Sequence, residues 1–463
     1  MVEEINKSDF NSHHLMSIIS DLGNVLRSVK NLVNDAIIIA KRTRWSMIRF
    51  ANNEPTIINN WVSAETTIYV TKSRKYLTST ISTVKISDIN NEIQNLVKRL
   101  DTVPQEDEFY VQLTHVGEVR RLQGSYDSRV EGDIDVFIDK LNDAIQASLN
   151  EGSQRNAGAL TFGVEEKYYV DTTGLELEDK SSFVALTIRA FLNDVTATSV
   201  SISRGLDGFK PKDAGSEAGI LVSMAKDLPE EKIENGRYDV ILGPLIAGHL
   251  YGLVVSSWFN AYSIITESSG ISRDDIGKLV ASDKLTIEDM SSEGSFVGSE
   301  SFDYEGNPTR SLEVLGKGVL TNVLHNNRTA AKFNTVSTGH AVDDWLRPSP
   351  RHVRISVGNL PDNVDGLIAE LGNGLLLTNN WYTRFQNIRE GLFSTVIRDV
   401  ALLVRGGKPV AKLRGLRIAD SFRTLLRNFV DSSKSARQVH WWDMPIPATS
   451  PYVLIKGLGI TKG

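Results

Sequence analysis

VILGPLIAGHLYGLVVSSWFNAYSIIT, residues 240 to 266, runs for 27 residues without an aspartate, glutamate, lysine or arginine. So long an uncharged stretch fits a bilayer or the middle of a large folded core. A bilayer span needs about 20 predominantly apolar residues, and the run has that length. However, Gly243-Pro244 interrupts it, and Ser256, Ser257, Asn260, Ser263 and Thr266 make its second half polar. No basic cluster flanks it to orient a span. The pattern reads instead as a strand over 238–242, a Gly-Pro turn and a buried helix from about Leu245 to Asn260. His249 is the one candidate catalytic side chain on that helix. Its neighbours one turn on are Gly252, Leu253 and Val254, so it reads either as a buried structural histidine or as one ligand of a set completed elsewhere.

The whole chain sets wider bounds. Its 463 residues predict two or three domains. Fifty-seven acidic against 51 basic residues give a formal net charge of −6, which supplies no general attraction to nucleic acid. Without cysteine there are no disulfides, no thiolate nucleophile and no Cys-ligated metal. The start, MVEEINKSDFNSHH, has no apolar core and does not read as a secretory signal. The expected location is cytoplasmic, with no membrane association.

Periodicity divides the chain. Apolar residues from Ile18 to Ile37 recur at three- and four-residue steps and predict a helix of more than five turns. From Ser46 to Val84 the period changes, and TTIYVTK and LTSTISTV predict antiparallel strands. A second helix follows with Ile89, Ile93, Leu96, Val97 and Leu100 on one face and Ser87 or Asp88 as cap. The polar stretch 101–109 marks a boundary. Beyond it, YVQLTHVGEV predicts a strand, 134–149 a helix, and 159–192 paired strands turning at Thr172-Thr173-Gly174. The last third mixes helices (245–260, 273–281, 363–371, 419–430) with many short strands. This grouping, without regular βαβ alternation, predicts an α+β fold. The expected division is an α+β domain over 1–105, a central α+β domain over 106–235 and a β-rich domain over 236–463.

Asp303 and Glu305 in SFDYEG are either a carboxylate pair on one strand face, suited to acid–base work or a hard cation, or acidic residues beside the turn Glu305-Gly306-Asn307-Pro308. The small, polar stretch 326–341 holds Arg328 and His340. Loops of this kind line sites or connect elements at the surface. Arg328 and His340 are therefore the candidates for contacting a peptide carboxylate or backbone. The remaining histidines form no ligand spacing. Residues 398–437 carry ten basic and three acidic residues, with Arg423 and Arg427 one turn apart. Aromatic interleaving is thin there, and a solvated basic face fits better than a phosphate track. GxxxxGK[ST], GxSxG and GxGxxG are all absent.

Several stretches together resemble the TldD/PmbA family. MIRFANNEPTI is similar to its N-terminal R-F-A-N-N strand, and VDTTGLELEDKSS to its central N-S-x-G hairpin. YDVILGP with its apolar helix, then SFDYEGNPTRSLEVLGKGVLTNVLHNNRTAAKFNTVSTGHA, resembles the most recognisable block, F-D-x-E-G-x-P-T followed by T-A-x-K and S-T-G. ALLVRGGKPVAKLRGLRIADSF is similar to the closing hairpin and helix. The resemblance spans nearly the whole chain. It implies a metallopeptidase or its partner subunit, an α+β N-terminal half and a strand-rich C-terminal domain. TldD-type members carry HExxxH on the helix after the V-x-L-G-P strand, and a cysteine ligand near the C-terminus. Here the two histidine positions counted from Pro244 hold Gly252 and Ser257. Starting the motif at His249 puts Leu250 and Val254 in the other two places.

The resemblance is thus to the PmbA/TldE-like branch that lacks the metal site. It implies a non-catalytic subunit of a TldD-type cytoplasmic metallopeptidase, acting in peptide maturation or degradation. Its expected partner is a TldD-like catalytic chain, or a second copy of itself, with peptide as substrate. No catalytic residue, metal ligand or cofactor is assigned, and no nucleic acid is expected. Two alternatives stand beside this reading. One is an active metallopeptidase drawing ligands from His249, His325, His340, Asp303 or Glu305. The other is a non-enzymatic binder of DNA gyrase or nucleic acid, as an older family label implies.

Overall fold

The computed structural model describes residues 12–104 and 106–462, with side chains from Ile18 onward. The polar start at residues 1–11 lies outside the described residues. Helix α1 (Ser12–Val29) leads into β1 (Asp35–Ala51), β2 (Glu54–Lys72) and β3 (Lys75–Ile81), then α2 (Ile86–Leu100). After an irregular connection come α3 (Ile134–Asn150), β4 (Arg155–Asp171), β5 (Glu176–Leu192), β6 (Val195–Ser203) and α4 (Pro211–Ala225). The six strands make one sheet in the order β3-β2-β1-β4-β5-β6, every pairing antiparallel.

Because side chains alternate across a strand, this sheet has two different faces. Even-numbered residues of β1, β2 and β4, including Ile38, Ala40, Ile68, Val70 and Val170, pack under α1 and α2. Further along, Ile48, Leu160, Phe162, Val184, Leu186 and Ile188 pack under α3 and α4. The odd-numbered face carries Ile37, Ile39, Tyr69 and Tyr169 at one end, where Phe302, Tyr304 and Trp345 of the C-terminal region cover them. Beyond that patch the odd face is open.

β7 (Gly236–Leu242) and α5 (Pro244–Trp258) realise the strand, turn and helix expected of the uncharged run. Gly243 caps the helix and Pro244 stands in its first turn, where a missing N–H costs nothing. Twelve of its fifteen residues are buried, as a helix apolar on all sides requires. It lies between two sheets. On one side β7 pairs with 374–387 and 453–462, and the pairings run on through 416–421 and 392–405 back to 374–387, a closed ring of five strands. On the other side lies a six-stranded sheet that includes 353–355, 437–439 and 448–450. Gly248 permits the close approach, since a Cβ there would stand 2.9 Å from Val439 Cγ2 and 3.1 Å from Ala448 Cβ. Among the described residues no helix is long and apolar enough to cross a membrane.

The α+β class holds, but several elements differ from expectation. The first helix stops at Val29, and Ala36 and Ile37 open β1. Their β-branched run is buried among strands, and Asp35 N–H bonds Thr71 Oγ1 at 3.0 Å. Neither Ser87 nor Asp88 caps α2. The cap position is Lys85, which makes no side-chain bond. YVQLTHVGEV is not a strand. Its backbone finds partners from the C-terminal region instead: Val116 N–H donates to Asn307 Oδ1 at 2.8 Å, and Asn327 Nδ2 donates to Thr114 O at 2.8 Å. The helix expected at 273–281 is a single 3-10 turn, Arg273–Asp275, and the one at 419–430 shrinks to Phe422–Arg427.

Candidate functional site

The open part of the odd face forms one side of a cavity of about 1180 Å³. Register explains which side chains meet there. Trp45 of β1 pairs with Gly163 of β4, and Gly163 with Phe183 of β5. A Cβ at Gly163 would stand 2.5 Å from Trp45 Cβ, so this glycine makes room for the indole. One step along, Glu165 pairs with Ser181, and Lys167 with Asp179. The opposite wall is Val297–Glu300 together with His440, Trp441 and Trp442. Extended strand surface, aromatic rings and a charged floor therefore face one cavity.

The floor is held rigidly. Lys167 Nζ is buried and meets Glu300 Oε2 at 3.0 Å and Phe302 O at 3.1 Å. Arg351 approaches the same carboxylate at 3.4 Å. Burial alone would raise the Glu300 carboxyl, but Arg351, Lys167 and Lys41 reverse that and hold it well below the carboxylate range. Burial pushes the Lys167 ammonium down, against the pull of Glu300. Arg204 donates to Phe296 O at 3.0 Å and to Ser182 O at 3.3 Å, tying the sheet to the opposing loop. Asp179 Oδ2 accepts the Ser301 N–H at 2.8 Å.

A second, smaller cavity of about 320 Å³ opens beside His249. Trp442 borders both spaces. His249 is 3% exposed, and its Nδ1 lies 3.2 Å from Asn380 Nδ2. Burial pushes its imidazole down to about 4, against the charge of Asp443.

The candidates from sequence sit elsewhere. Arg328 is buried, ion-paired with Asp107 at 2.7 Å and bonded to the Tyr69 hydroxyl at 2.8 Å. His340 is fully buried, with Nε2 at 2.8 Å from Asp289 Oδ2 and Nδ1 at 2.9 Å from Thr338 Oγ1. Both side chains are spent on internal partners, and neither lines either of the two cavities. Asp303 and Glu305 do form a turn, but one that is buried rather than solvated. Asp303 Oδ1 accepts the N–H groups of Glu305 at 2.9 Å and Asn307 at 3.0 Å, and Glu305 Oε2 accepts the Asn327 N–H at 2.7 Å. Burial, with help from Asp303, pushes the Glu305 carboxyl up to about 8.

The basic run is dispersed. Lys412 meets Asp194 at 3.0 Å and Arg405 meets Glu231 at 3.1 Å, while Arg437 pairs with Glu217. Trp45, Lys167, Asp179, Arg204 and Trp442 were missed by sequence reading. The available signals were the polar odd-numbered positions of VEEKYYVD and the aromatic cluster VHWWD.

A hydrolytic metal would need three convergent ligands and a base. Along α5 His249 is the one ligating side chain. Gly252 and Ser257 carry no imidazole, and Leu250 and Val254 are buried apolar groups. His325 lies 3.3 Å from Thr329 Oγ1, and His352 is held by Val297 O and Thr449. No group of three His, Cys, Asp or Glu able to hold an ion is assembled among the described residues. These residues do not fit a hydrolytic metal.

Comparison with known proteins completes the picture. Residues 235–462 match the PmbA/TldA metallopeptidase C-terminal domain, and residues 93–225 its central domain. A metalloprotease of Methanothermobacter thermautotrophicus is 26% identical over 255 residues, covering 51% of this chain and 53% of that relative. Metalloprotease PmbA of Escherichia coli O157:H7 is 29% identical over 153 residues, 33% of this chain and 31% of that protein. The chain thus spans about half the length of the first relative and about a third of the second. TldE from Thermococcus kodakarensis has the same fold, with a TM-score of 0.78 at 19% identity over 95% of this chain and 100% of that one. With both family domains matched in order across most of its length, the chain belongs to the TldD/PmbA family.

Proposed function

We propose that this chain is a non-catalytic, TldE-like subunit that forms one wall of a peptide-binding chamber and pairs with a catalytic TldD-like chain in the cytoplasm, for peptide maturation or degradation. One observation carries the reading. A large cavity lined by strand surface and aromatic rings shares Trp442 with a smaller one beside His249, and the motif positions of that histidine's helix hold Gly252 and Ser257 in one register and Leu250 and Val254 in the other. Peptide hydrolysis requires an activated water, and among the described residues α5 offers only His249 where a metal-binding motif would stand. The rim adds support for a partner. Trp381, Tyr382, Phe385 and Trp442 are 37%, 51%, 37% and 69% exposed, and clustered exposed aromatics mark interaction surfaces.

The test is co-purification with a family member that carries HExxxH, followed by peptidase assays of each chain and of the mixture. Activity in the mixture alone supports the reading. Stoichiometric zinc in this chain by itself, with peptidase activity lost in His249→Ala, overturns it.

A further inference from the structure

His249 has a hydrogen-bond partner at one ring nitrogen alone among the described residues. Asn380 Nδ2 faces its Nδ1 at 3.2 Å and Thr395 Oγ1 at 2.9 Å. Nδ1 is therefore the acceptor, and Nε2 carries the ring proton. Nε2 has no hydrogen-bond partner among the described residues, although the residue is 97% buried by its 3% exposure.

The cavity beside it is walled by Leu253, Phe385, Trp442 and Met444 and edged by Arg384 and Asp443. Arg384 makes no ion pair among the described residues. It donates to Thr383 O at 2.9 Å and stacks on the Tyr382 ring at 3.9 Å. Tyr382 has a φ of 58°, in the left-handed region that aromatic residues avoid. Asp443 Oδ2 holds it there by accepting its N–H at 2.9 Å. The rim carboxylate thus accepts a backbone N–H through Oδ2, whereas the Arg384 guanidinium has no carboxylate partner among the described residues. About 320 Å³ is room for one large residue rather than for a chain passing through.

We propose that this pocket takes the C-terminal residue of a peptide, its carboxylate accepting from His249 Nε2–H and Arg384 and its apolar side chain lying among Leu253, Phe385, Trp442 and Met444. This rests on the reading of the chain as a peptide-binding subunit. Trp442, shared by the two cavities, stands where a peptide leaves the chamber for its terminal pocket. The carboxylate accepts from a ring N–H that has no other partner among the described residues, and charge-assisted bonds of this kind are the strong ones.

The experiment is a tryptophan-fluorescence titration of the full chain with alanyl-alanyl-phenylalanine, its C-terminal amide and its N-acetyl derivative. The free acid and the N-acetyl peptide bind equally, and the amide binds on the order of tenfold more weakly. Arg384→Ala, at an exposed position, brings the acid down to the level of the amide and leaves the amide unchanged. His249→Phe does the same, with its fold checked by thermal unfolding. Equal binding of acid and amide overturns the terminal pocket and leaves the chamber reading standing. Binding abolished by N-acetylation overturns it too, by assigning the pocket to an ammonium at Asp443. No binding by any of the three overturns both readings.

Discussion

Arg328 and Asp107 meet at 2.7 Å with side chains only 3% and 8% exposed, joining the C-terminal region to the connection that follows α2. Tyr69 adds a hydroxyl at 2.8 Å, and Tyr76 offers its ring at 4.5 Å. Removing one member of a buried ion pair strands the other, at a cost of about 3–5 kcal/mol. Arg328→Ala is expected to lose stability on that scale in urea unfolding. Native stability with weakened peptide binding would instead return Arg328 to the role its sequence neighbourhood suggested.

Glu305 sets a pH limb. Its carboxyl is raised from about 4.5 to about 8, chiefly by burial and then by Asp303. A raised folded-state pKa means stability that is complete below 4.5 and is lost as pH rises through 8, with a slope of at most about 1.4 kcal/mol per pH unit for one proton. Glu305→Gln is expected to flatten the fall in unfolding midpoint between pH 5 and 8. An unchanged slope in the variant would sink the assignment.

The histidines act in the opposite sense. His249, His325 and His352 are each pushed from 6.5 to about 4, in every case mainly by burial. Their contribution is present above 6.5 and lost as pH falls through 4. For His249, nitrogen-15 NMR is expected to show a neutral ring protonated at Nε2 down to about pH 4. Titration near 6.5 would mean that the pocket does not shield the ring.

Gly248 fixes how closely α5 approaches the strands at 437–439 and 448–450. A Cβ there would meet Val439, Ala448 and Ser450 at 2.9, 3.1 and 3.3 Å. Gly248→Val is expected to destabilise by about 1–3 kcal/mol through overpacking, despite valine's better helix propensity. Unchanged denaturation would show that the sheets can yield.

Local rules carried the strand–turn–helix at 236–258, because Gly243-Pro244 and an unbroken apolar run allow few alternatives. They also carried the apolar face of α2, where period alone marks what is buried. They failed at Ala36 and Ile37, where helical spacing continued by coincidence into a strand. They failed again at YVQLTHVGEV, whose partners lie about 190 to 215 residues away by the offsets of Val116 to Asn307 and Asn327 to Thr114.

The sequence by itself determined the α+β class, the buried uncharged helix and the absence of ligating side chains from its motif positions, all of which are properties of residue type and near-neighbour spacing. Only the tertiary structure decided that Arg328 and His340 are interior struts and that Trp45, Lys167, Asp179 and Trp442 share a chamber. Burial of a polar side chain depends on which distant segment covers it. On β1, β4 and β5 a polar odd face reads the same whether it meets solvent or a cavity wall.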